Sequence, residues 1–402
     1  MIMNDSQILK PDWAWVKFSD VVRQVKDKVD VESSALDRYI AGEHMDTDDL
    51  RIRRWGTIDD SYLGPAFHMR FTPGQVLYGS RRTYLRKVAV PDFEGICANT
   101  TFVLETKDPT ILLPELLPFI MQTEAFNEHS VKQSKGSVNP YVNFSDLAWY
   151  EFALPTIEEQ RRIVQLLQVV EQNLEAIQEL EATLEQLRKS FIVSSFSKLL
   201  QDDKTRIVKV AQAGDVLMGR QRAPQYDQGI SPRPYLRVAN VFDGYIDTSD
   251  IKKMDFSETE FEQFKLRSGD VLLNEGQSRE LVGRSSIFRE EVLDCCFQNT
   301  LIRFRPRKVS SEYAHHYFQY CLYTGRFITI SKQTTSIAHL GANRFASMAF
   351  PIPSPNCEQE IAITHSSIET NLRETTKRKE NAKKLKRLLF ESELFGKNGD
   401  GA

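Results

Sequence analysis

Leu154-Pro155-Thr156-Ile157-Glu158-Glu159-Gln160 is answered, roughly 200 residues on, by Ile352-Pro353-Ser354-Pro355-Asn356-Cys357-Glu358-Gln359. In the first passage a proline precedes Thr-x-x-Glu, whose hydroxyl and carboxylate satisfy the free amide groups at a helix start. Apolar residues then recur at Ile163, Leu166, Val170, Leu174, Ile177, Leu180, Leu184, Leu187 and Phe191. Steps of three and four with Glu and Gln between are a coiled-coil seam, and about 40 such residues give a rod of roughly 60 Å. In the second passage Asn356-x-x-Gln359 offers a looser capping box, followed by Ile361, His365, Ile368, Leu372, Thr375, Lys379, Ala382, Leu385 and Leu389. This seam is more polar, so the second helix is less able to stand alone. Each helix follows an equivalent segment, and the simplest burial of both is against each other, antiparallel. The alternative is two separate helices, each packed on its own domain.

Outward from these passages, the whole chain reads twice. Arg38-Tyr39-Ile40 matches Pro234-Tyr235-Leu236, and Phe71-Thr72-Pro73-Gly74-Gln75-Val76-Leu77-Tyr78 matches Leu266-Arg267-Ser268-Gly269-Asp270-Val271-Leu272-Leu273. Asn99-Thr100 matches Asn299-Thr300, and Phe144-Ser145-Asp146-Leu147 matches Phe345-Ala346-Ser347-Met348. A unit of this length is a duplicated domain, because solenoid repeats are far shorter. The expected division is 1–155, first domain; 156–203, first long helix; 204–355, second domain; and 356–402, second long helix and tail. Each domain mixes short β-type runs, such as Val76–Tyr78 and Thr101–Leu104, with helical stretches, such as 115–129. The fold class is therefore α+β: two tandem domains of mixed α/β structure, each followed by a long helix, the helices paired as an antiparallel coiled coil. Two related copies suit a target with two half-sites.

The 402 residues, 41% of them hydrophobic, suffice for two ordinary cores. No apolar run reaches the ~18 residues of a membrane span; Ile111 to Met121 comes nearest and is broken by Pro114 and Pro118. Met1 to Lys10 is polar and reads as neither signal nor transit peptide. Cys97, Cys295, Cys296, Cys321 and Cys357 form no CxxC pair, which fits buried thiols in a reducing cytoplasm. The net charge of −3 is unevenly spread: residues 1–155 hold 17 basic and 22 acidic side chains, residues 204–355 hold 21 and 16. The acidic first half counts against nucleic acid unless its basic residues cluster.

Catalytic motifs are missing. Gly74 and Gly79 have P-loop spacing, but Ser80-Arg81 follows in place of the phosphate-binding Lys. Asn139-Pro140-Tyr141 lacks the second proline of the Asn-Pro-Pro-aromatic motif of amino-methyltransferases and has no Gly-rich cofactor loop beside it. His315-His316 reads as one core and one surface residue, and the histidines and cysteines show no metal-ligand spacing. No catalytic and no metal residue is assigned. Two pairs of loops do suit nucleic acid. Ser80, Arg81, Arg82, Tyr84, Arg86 and Lys87 interleave cations with an aromatic directly after a strand. The matching place in the second copy carries Asn274, Gln277, Ser278, Arg279 and, further on, Arg284. Lys132, Gln133 and Lys135 are matched by Lys332 and Gln333. Arg, Gln and Asn read base edges, and Lys and Arg neutralise phosphates. Taken singly, each is equally a solvated polar loop; basic, amide-rich loops at the same two points of both copies favour DNA. Arg303, Arg305 and Arg307 share one face of a strand and read as a solvated face.

Domain, helix, domain, helix, with helices opened by Leu-Pro-x-x-Glu-Glu-Gln-x-x-Ile, resembles the specificity (S) subunit of Type I restriction–modification enzymes. Leu154 to Ile163 carries that motif; Ile352 to Ile361 carries it with one extra residue and Cys357 in place of Glu158. Gly269 to Leu272 and Tyr235 to Val238 are similar to passages of the same family. The resemblance implies a non-catalytic subunit in the cytoplasm, reading double-stranded DNA in two parts with one half-site per domain. Its partners would be two methyltransferase (M) subunits methylating adenine N6 and motor-nuclease (R) subunits. It implies no cofactor on this chain, with S-adenosylmethionine, Mg and ATP on the partner subunits only. The competing reading is a coiled-coil scaffold with two protein-binding heads.

Overall fold

The computed structural model describes residues 12–394 apart from 32–33, 59–62, 224–225, 227 and 335. Met1 to Lys10, Thr335 and the tail beyond Leu394 thus lie outside the described residues. The chain divides into two units: one takes the residues up to Gln178 and those from Lys377 on, the other is Glu179–Thr376. Each unit therefore contains one globular domain and a stretch of both long helices.

The duplication holds in the main sheets and the entry ribbons, whereas among the described residues the second sheet has four strands in the first unit, with Phe67–Phe71 at its edge, and three in the second. The first unit has a four-stranded sheet in the order Val22–Val25, Thr101–Thr106, Val76–Gly79, Val88–Ala89. The second has Gly214–Met218, Leu301–Pro306, Val271–Asn274, Ser285–Ile287 in the same order. Val76 to Tyr78 and Val271 to Leu273 are apolar without alternation because both faces of their strands are covered. Val76 and Tyr78 join a core with the helical residues Leu117 and Phe126, while Leu77 joins Ile40, Phe71 and Cys97 of a second sheet. Val271 and Leu273 likewise face one core and Leu272 the other. In the second sheets Tyr39 and Ile40 pair parallel with Ile96 and Cys97, and Tyr235 and Leu236 with Cys296 and Phe297. A ribbon leads from each domain into its helix, Ala14–Lys17 on Glu151–Leu154 and Arg206–Lys209 on Ala349–Ile352.

The helix expected over 115–129 is two helices, Leu117–Gln122 and Glu124–Gln133. Thr123 separates them because its extended backbone lets its hydroxyl accept the Phe126 amide, a new N-cap. The first long helix is Ile157–Gln201 and the second Pro355–Leu389. The second starts one residue before Asn356: Ser354 accepts the Cys357 amide, and Pro355 occupies the first turn, where no amide partner is needed.

Within each unit the helix stretches run antiparallel, since partners fall in number on one helix as they rise on the other. In the first unit Arg162 pairs with Glu393 and Glu171 with Lys386. In the second, Thr376 donates to Glu181, and Arg188 meets Glu369. The first seam departs from its expected line. Ile163, Leu167, Leu174 and Ile192 are buried, whereas Leu166, Leu180 and Leu187 are exposed and Arg188 lies inside. The second seam follows Ile361, His365, Ile368, Leu372 and Thr375, then exposes Leu385 and buries Lys386.

Candidate nucleic-acid interface

The two basic loops of each domain come together on one small sheet. In the first domain Arg81 bridges to Tyr141, and Tyr141 bridges on its other side to Lys135. Four amides hold this patch: Arg82 donates to Pro140, Val142 to Ser80, and Lys135 and Tyr141 donate to each other's carbonyls. In the second domain Gly276–Gln277 pairs with Ala338–His339, which pairs with Lys332–Gln333. The order is the same, so Tyr141 corresponds to His339 and Lys332 to Lys135, not to Lys132 as the spacing of the letters suggests. The central strand is not evident in the sequence. Its signal is Asn139-Pro140-Tyr141, turn residues ahead of an aromatic, which by letters alone looks like an incomplete methyltransferase motif.

The expected residues divide sharply. Arg81, Arg82, Tyr84, Lys132 and Gln133 are exposed, as are Arg279, Lys332 and Gln333. Gln277 and Ser278 are half-buried. Lys135 binds both carboxylate oxygens of Asp146 at 2.9 and 3.0 Å. The remaining members serve the fold. Ser80 donates to the Thr100 carbonyl, and Lys87 to that of Gly42. Arg86 is taken up by Asp48 at 2.7 Å, Glu124 and the Gln122 carbonyl. Asn274 is fully buried and donates to the Val241 carbonyl. Arg284, which in the strand pairing takes the place of Lys87, lies over the Phe242 ring, and burial lowers its pKa.

Ion pairing explains how an acidic domain presents a basic patch. Arg23, Arg51, Arg53, Arg54, Arg70 and Arg86 are each bound to a carboxylate. Arg81 and Arg82 have no ion-pair partner among the described residues, so their charge stays available. The Arg303–Arg307 face is not the solvated row expected. Arg303 is buried against Phe297, and Arg305 holds Asp270 through two hydrogen bonds of 2.6 and 2.7 Å. This explains the Gly269-Asp270 passage: Asp270 accepts the Arg267 amide on the turn and ties it to the neighbouring strand. The first copy does this with Gln75, which accepts from Thr72 and donates to Glu105. His315 and His316 are both buried, a correction to one core and one surface residue. His315 contacts the Ser285 carbonyl and His316 packs against His365 with ring centres 3.6 Å apart.

A duplicated α+β domain that carries an exposed basic loop patch in each copy and is followed each time by a long helix is the architecture expected of a two-headed nucleic-acid reader. The chain belongs to the family of the Type I restriction modification DNA specificity domain, which matches residues 60–186 and again 226–384. It is 26% identical over 156 residues, 38% of this chain, to the Type I restriction enzyme EcoDI specificity subunit of Escherichia coli; the chain spans about a third of that relative's length. Among solved structures, it resembles a chain from work on complex assembly and conformational transition of the type I R-M system. That match has TM-score 0.62 and 19% identity, covering 97% of this chain and 99% of that one. It also resembles the Type-I restriction-modification S subunit from M. genitalium, with TM-score 0.53 and 12% identity over 98% of both chains.

Proposed function

We propose that this chain reads a bipartite double-stranded DNA target, one half-site per domain, and directs partner adenine-N6 methyltransferase (M) subunits and motor-nuclease (R) subunits to it. The observation that carries this reading is the repeated loop patch, built from the same two loops in both domains, with Arg81, Arg82, Lys132, Arg279 and Lys332 exposed on or beside it. Such side chains neutralise phosphates and reach base edges from a fixed register. S-adenosylmethionine, Mg and ATP belong to the partners in this scheme, and the complex works in the cytoplasm. No helix among the described residues is long and apolar enough to cross a membrane.

The test is modified-base sequencing of DNA from cells expressing this chain with a cognate methyltransferase subunit, against cells lacking only this chain. A split adenine-methylated motif that depends on the chain is expected. A stable complex that leaves no chain-dependent motif overturns the reading.

A further inference from the structure

Both seams bury a cation where a coiled coil ordinarily places an apolar residue. In the second unit Arg188, on the first helix, is 5% exposed. It lies 3.3 Å from Asp243 of the globular domain and 3.5 Å from Glu369 on the second helix. Gln319, buried in the domain, donates to Asp243 at 2.7 Å. In the first unit Lys386, on the second helix, is 6% exposed. It pairs with Glu171 on the first helix and donates to Gln122 of the globular domain at 2.6 Å. These are the same positions of the repeat: Arg188 and Lys386 are 198 residues apart, Glu171 and Glu369 are 198 apart, and Gln122 and Gln319 are 197 apart. Each unit thus joins a cation from the late part of one helix, a glutamate from the early part of the other, and a domain glutamine.

An apolar seam is indifferent to sliding by a heptad, whereas a buried polar group has partners in one register only and specifies it at a cost in stability. We infer that the two buried cation–glutamate–glutamine clusters are positioning devices that fix each domain on its helix pair, and so fix the gap between the two half-sites. This rests on the bipartite reading above. Arg188, Lys386, Glu171 and Glu369 touch no DNA in this scheme; they act by allowing one register.

The experiment is the same sequencing assay on the full chain with its methyltransferase partner, using Glu171→Met with Lys386→Met. Replacing a buried pair by apolar residues of similar volume is often neutral or stabilising, so the fold is expected to persist. Both half-sequences should be retained, while sites with an altered gap rise from below about 0.1% to about 10% of methylated sites. Lys386→Arg, which keeps the charge, should keep one gap. The exchanged pair Glu171→Lys with Lys386→Glu tests the same point if the methionine variant does not fold. Gln122 carries both a donor and an acceptor and serves either polarity, so a single gap is expected. A folded methionine variant with one unchanged gap, or an exchanged pair with mixed gaps, overturns the inference. Absence of any split motif with the unaltered chain instead defeats the underlying reading.

Discussion

Gln160 shows how one side chain turns a sequence motif into a joint. It is fully buried, donates to the carbonyls of Ile111 and Pro155 at 2.8 and 2.9 Å, and accepts the Leu113 amide at 2.9 Å. The helix start is thereby fastened to the loop that leads into Leu117–Gln122. In the second copy Gln359 aligns by letter, yet it is exposed. Glu358 takes over the task and accepts the Ser310 amide at 2.7 Å. Gln160→Ala should therefore cost about 2–4 kcal/mol, because three buried backbone groups lose their partner, whereas Gln359→Ala should stay within about 0.5 kcal/mol. Urea unfolding of the two variants measures this, and equal midpoints would contradict it. The motif itself was legible in the sequence. Which of its polar letters fastens the joint was not, since matching Gln to Gln takes one extra residue, whereas both helix starts run the same length to Ile163 and Ile361 and the place of Gln160 is held by Glu358.

At the scale of elements, helix period was legible and helix face was not. Leu166, Leu180 and Leu187 satisfy a three–four spacing as well as the buried line does, and spacing alone does not say which of two apolar lines meets a partner. Arg188 and Lys386 were hidden for a related reason: a charged letter reads as solvent until its partners are placed around it. The second helix shows the same point with histidine. Burial pushes the His365 pKa down to about 3, with His315 and Arg188 adding to it and Asp243 opposing. Burial likewise lowers His316 well below its ordinary value, with His365, His315 and Arg188 contributing. These rings are neutral in the fold and bind protons once unfolded. Their contribution is complete above an unfolded pKa near 6.5 and is lost as pH falls below it, by about 1.4 kcal/mol per pH unit for each histidine held neutral. Thermal unfolding of the full chain between pH 7.5 and 5.5 should show this loss, and His365→Phe, which keeps a ring against His316, should flatten it. An unchanged slope in that variant would remove His365 from the account.

At the scale of the whole molecule the duplication was legible because order and offset repeat, even where single matches are weak. The loop patches were half legible: residue types gave the two loops, but only the strand order showed that they meet on Tyr141 in one domain and on His339 in the other. That two-headed arrangement makes a prediction no single-site binder shares. Arg81→Ala with Arg82→Ala removes two exposed charges from the first domain and leaves the second domain's Arg279 and Lys332 untouched. Binding of a complete target by the assembled complex should weaken, and the slope of log K against log salt should become shallower by about 2, one unit for each phosphate no longer neutralised. With DNA carrying only the second half-site, affinity and slope should match those of the unaltered chain. Titration of the two DNAs at several salt concentrations separates these outcomes. A loss that falls equally on both DNAs would mean that Arg81 and Arg82 support the fold or a shared surface instead of one half-site.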